Sequence, residues 1–136
     1  MEHVYILNHN KDDIFSSLLM NGFRELEVGF SNMDNTEYIN YHNILIYIPR
    51  VGSNDHYNII RSDIINNVFK FKYKLMLFVT EDDYIITRST IESMLGKYRF
   101  KYYQSIAFDT GFAKIIVDDC HKLLNGKFRF YNTINR

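Results

Sequence analysis

The sequence predicts an α/β fold: a single globular domain over residues 1–136, with a mixed, largely parallel sheet of about five or six strands and about four helices. Three observations predict it. Segments whose apolar residues recur every second position, or run unbroken, alternate along the chain with segments at helical spacing. Two strand candidates, "ILIYI" (44–48) and "LMLFV" (75–79), are continuously apolar, the pattern of strands covered on both faces. Finally, "SLLMNGFRELEVGF" (17–30), "SMLGKYRFKYY" (93–103) and "KLLNGKFRFYN" (122–132) each pass from an apolar helix end through a glycine into an alternating segment.

Taken in order, "HVYILN" (3–8) is the first strand. Asn10 then stands where a helix cap belongs, ahead of Asp12 and Asp13, whose carboxylates suit the positive end of a helix dipole. Gly22 is expected to close that helix in the left-handed conformation, with "RELEVGF" (24–30) following as a strand that turns Glu25 and Glu27 outward. "SNMDNTEYINY" (31–41) is a polar loop. "HNILIYIP" (42–49) returns as a strand, and the next helix, over 56–68, puts Ile60, Ile64 and Val68 on one face.

"KFKYKLMLFVT" (70–80) is the next strand, and Ser89 with Glu92 has capping-box spacing for a third helix that Gly96 ends. "YRFKYY" (98–103) follows, with "YQSIAF" (103–108) as its extension or a further strand. Asp109 or Thr110 caps the last helix, on which Phe112, Ile115, Ile116, Cys120, Leu123 and Leu124 form one stripe. Gly126 closes it, and "KFRFYN" (127–132) is the final strand.

The composition narrows the class. Apolar residues make up 46% and aromatics 16%, too much core-forming material for a disordered chain. No apolar run approaches the roughly 18–20 residues of a membrane span. The opening "MEHVYILNHNKDD" has neither the basic leader nor the apolar stretch of a signal peptide, so a cytoplasmic protein without a membrane partner is expected. The single Cys120 excludes an internal disulfide and a cysteine metal cluster. Ile, Asn, Lys, Tyr and Phe dominate while Ala and Pro are scarce and Trp is absent, a bias toward AT-rich codons that points to a phage, viral or low-GC bacterial genome.

Net charge is zero but unevenly spread. Residues 1–67 carry four basic and nine acidic side chains, residues 68–136 twelve and seven. Such polarity suits a charged partner surface, or attraction between the two halves within one fold or between copies in a homo-oligomer.

"IAFDTGFAK" (106–114) contains Asp109-Thr110-Gly111, the tripeptide that follows an apolar strand in aspartic proteases. That chemistry needs two carboxylates sharing a proton and further β-structure after the motif. Here 25 residues follow Gly111 and most read as helix, so Asp109 or Thr110 reads as a helix cap and no catalytic residue is assigned. The same turn, with "YIPRVGSND" (47–55), could hold an anion at a helix N-terminus through Arg50, Gly52, Ser53, Asp109, Thr110 and Gly111, although neither has the glycine spacing of a nucleotide loop. Glu81, Asp82 and Asp83 form an acidic turn after a strand, which reads as a solvated loop. The histidines, His3, His9, His42, His56 and His121, lack metal-ligand spacing, and no metal or cofactor is expected. Cys120 and His121 diverge by about 100° on a helix, and Cys120 belongs to the core.

"FKFKYK" (69–74), "KYRFKYY" (97–103) and "KFRFY" (127–131) alternate basic and aromatic residues. As neighbouring strands they would align Lys70, Lys72, Lys74, Lys97, Arg99, Lys101, Lys127 and Arg129 on one wall over rings packed inside. The expectation is a non-enzymatic binding protein, a phage or viral accessory factor that modulates a host macromolecule through this polarised surface. The alternatives are a nucleic-acid binder using the basic strands, or a small nucleotide- or phosphate-using enzyme at the strand-to-helix turns.

Overall fold

A computed structural model describes residues 3–9, 14–32, 44–49, 75–81 and 100–125, together with Asn58, Arg61, Ser62, Glu92 and Ser93. The elements are β1 (His3–Asn8), α1 (Ile14–Glu25), β2 (Gly29–Asn32), β3 (Ile44–Ile48), β4 (Leu75–Glu81), β5 (Phe100–Ser105) and α2 (Thr110–Asn125). The strands form one five-stranded sheet in the order β2-β1-β3-β4-β5, and every described pair is parallel. This is the flavodoxin-like order of doubly wound α/β sheets. The order reverses at β1, which has β2 on one side and β3 on the other, so the switch point lies beyond the carboxyl ends of β1 and β3.

The α/β class holds, with two corrections. The described sheet is wholly parallel rather than mixed, and two helices, not the four expected, occur among the described residues. The helices anticipated over 56–68 and after Ser89 lie largely outside the described residues, of which Asn58, Arg61, Ser62, Glu92 and Ser93 have helical backbone. The strand anticipated at 127–132 lies outside them altogether.

The continuous apolar runs occupy the sheet centre because only there are both faces dry. Val4, Ile6, Ile44, Ile46, Ile48, Leu75, Leu77 and Val79 face one way and pack with Phe15, Leu19 and Phe23 of α1 and with Ile116, Val117, Cys120 and Leu123 of α2. The intervening Leu7, Leu45, Tyr47, Met76, Phe78 and Phe100 are buried on the other side. There the parallel register sets rings side by side: Tyr47 opposite Phe78, and Phe78 opposite Tyr102. The ring centroids are 5.4 Å and 5.6 Å apart, the second pair stacked with nearly parallel planes at 10°, and His9 meets Tyr47 edge-on at 5.7 Å.

The end of α1 departs from the sequence expectation. Gly22 lies inside the helix, which runs on to Glu25, and β2 starts at Gly29 instead of Arg24. The glycine serves a contact: a Cβ built on it would stand 2.9 Å from Val117 Cγ2, so its bare backbone lets α1 approach α2. The left-handed residue is Glu27, with φ of 57°. Val28 N–H donates to Phe23 O at 2.9 Å and Glu27 N–H to Arg24 O at 3.2 Å, the paired bonds of a Schellman cap. Val28 packs against the core cluster that contains Phe23, which holds the turn in place. Glu25 and Glu27 therefore belong to a helix end and its cap, not to an outward strand face.

A side chain with a Cβ pays a steric penalty in the left-handed region that glycine does not. Glu27→Gly is accordingly expected to stabilise the fold by roughly 0.5–1 kcal/mol, read as a rise in the urea midpoint at unchanged m-value. A fall in the midpoint would mean that the Glu27 side chain contributes more than its backbone costs.

Candidate functional site

In doubly wound sheets the ligand edge is the carboxyl edge, where α1 and α2 also begin. Several of the described polar groups along that edge bond to one another. Asn8, the last residue of β1, donates from Nδ2 to Ser16 Oγ at 2.8 Å, tying the strand to the first turn of α1. His9 N–H donates to Ile48 O at 3.0 Å and clips β1 to β3 beside the switch point. Thr80 Oγ1 donates to the Tyr102 hydroxyl at 3.0 Å, and Gln104 Nε2 donates to Glu81 O at 3.3 Å, joining β4 to β5. Glu81 ends β4, while Asp82 and Asp83 lie outside the described residues.

The turn into α2 follows the capping reading. Asp109 Oδ1 accepts the Phe112 N–H at 2.9 Å, and Ala113 N–H bonds to Asp109 O at 3.0 Å, which makes Asp109 the cap. Thr110 opens the helix and Gly111 sits in its first turn. A carboxylate at this terminus already satisfies one of the donors that an anion would use and adds a negative charge that repels it. Arg50, Gly52 and Ser53, the other half of the anticipated anion site, lie outside the described residues. Asp109→Ala is expected to cost about 1 kcal/mol, measured as a lower thermal midpoint, with Asp109→Asn recovering most of it. An unchanged midpoint in the alanine variant would remove Asp109 from the capping role.

Of the basic residues anticipated as a wall, Lys70, Lys72, Lys74, Lys97, Arg99, Lys127 and Arg129 lie outside the described residues. Lys101 is described, and its setting differs from an outward display. It shares the α2-facing side of β5 with Tyr103, because "FKYYQS" sets rings on both faces of the strand. Its ammonium lies 3.4 Å from Asp119 Oδ2 and 5.4 Å from the centre of the Tyr103 ring. Tyr103 donates its hydroxyl to the same Asp119 oxygen at 2.7 Å. Burial first, then the hydrogen bond and negative charge of Asp119, push the Tyr103 phenol far above its ordinary range. Burial, followed by the same carboxylate, pushes up the Cys120 thiol, so this cysteine stays a protonated core residue and not a nucleophile.

Sequence reasoning missed two exposed apolar residues at this edge. Ile106 is 85% exposed and Ile14 65% exposed. Ring contacts draw their neighbourhoods together: Phe15 of α1 meets Phe108 of the β5–α2 turn at 4.7 Å, and both meet Phe112, at 5.6 Å and 5.4 Å. Ser105 turns Ile106 outward, since its hydroxyl donates to Ala107 O at 3.0 Å and accepts the Ala107 N–H at 3.3 Å, ending the strand. Ile115, anticipated in the α2 stripe, is 56% exposed instead, and Ala113 and Val117 take the buried places. The difference follows from the crossing near Gly22, which turns the Val117 side of α2 toward α1.

Among the described residues, no group of three or more His, Cys, Asp or Glu side chains is placed to hold a metal ion. No helix among them is long and apolar enough to cross a membrane. No protein-family model matches the chain, and no curated protein matches it in sequence.

Proposed function

We propose that this chain is a non-enzymatic binding protein that engages a protein partner at the carboxyl edge of its sheet. The observation that carries the reading is the pair of exposed isoleucines, Ile106 and Ile14, beside the Phe15–Phe108–Phe112 cluster. Apolar side chains exposed to water cost free energy in the isolated protein and return it when a partner covers them. The polar groups of the same edge support the reading, because Asn8, Thr80, Gln104 and Asp109 are engaged in holding elements together. The AT-rich coding bias, common to phage, viral and low-GC bacterial genomes, accords with a phage or viral accessory factor, whose target in this reading is a host macromolecule in the host cytoplasm.

The test is affinity capture from candidate host cells with three tagged forms. The unaltered chain and Ile115→Asp, altered on the solvent side of α2, are expected to retain one shared partner. Ile106→Asp is expected to lose it while unfolding at the same urea concentration. Retention by Ile106→Asp, or no partner for the unaltered chain, overturns the proposal. If capture instead yields nucleic acid whose binding falls steeply with salt and is lost on charge reversal at Arg99 and Arg129, the basic strands are the working surface.

A further inference from the structure

We draw no further inference here: the strongest candidate, the groove of about 320 Å³ between α1 and α2 floored by Gly22 and Val117 and rimmed by Leu18, Glu25, Lys114 and Asp118, has charges of both signs on its rim with Lys114 already paired to Asp118, and nothing in the structure shows what covers it.

Discussion

Replacing Phe78 by alanine is expected to destabilise the fold by about 3–5 kcal/mol, the range for deleting a buried phenylalanine. Phe78 is fully buried in β4, and its ring is flanked by Tyr47 on β3 and Tyr102 on β5. Truncation removes both ring contacts, each of which adds roughly 0.5–1.5 kcal/mol beyond buried area. The walls of the resulting cavity are strands fixed by parallel pairing on both sides, so they have little freedom to close over it. Against a typical total stability of about 5–15 kcal/mol, such a loss removes a large share of what holds the fold together. Phe78→Leu keeps most of the volume and is expected to cost roughly 1–2 kcal/mol. Urea unfolding followed by tyrosine fluorescence measures both, and a cost under about 1 kcal/mol for the alanine variant would refute close packing of the row.

Gly22→Leu has the second largest expected effect, a loss of about 1–3 kcal/mol from overpacking. Local preference predicts the opposite sign, since leucine favours a helix interior over glycine by nearly 1 kcal/mol. Contact geometry decides the outcome. The first carbon of any side chain there meets Val117 Cγ2 at 2.9 Å and Cγ1 at 3.1 Å. Val117 is itself buried and β-branched, with few rotamers to retreat into. Gly22→Ala sits between the two effects and is expected to change stability by less than about 1 kcal/mol. Combining Gly22→Leu with Val117→Ala should recover part of the loss, so a double-mutant cycle should show a coupling on the order of 1 kcal/mol. Strictly additive costs would show that the two residues do not touch.

The sequence made legible those elements whose causes are local. β1 is legible to the residue, and the unbroken apolar runs mark β3 and β4. Asp109 was recognisable as a cap because an aspartate between a strand and an apolar stripe has one common use. The end of α1 was not legible, since a glycine required for a helix–helix approach is written with the same letter as one that ends a helix. The turn fell to Glu27, held there by the Phe23–Val28 bracket that composition does not reveal. Lys101 and Asp119 are 18 positions apart, a separation with no periodic signature, and only the crossover that lays α2 against β5 joins them. Ile106 looked like a strand residue because its outward turn depends on the Ser105 hydroxyl.

The parallel order around β1 has a consequence for biosynthesis. Its first neighbour, β2, follows within about thirty residues, but the partner for its other edge, β3, begins only at Ile44. While the polypeptide leaves the ribosome, the apolar stretch Val4–Leu7 therefore waits with one side unclothed. Such an interval favours capture by chaperones, or by the same stretch of a neighbouring nascent molecule, before the sheet can close over it.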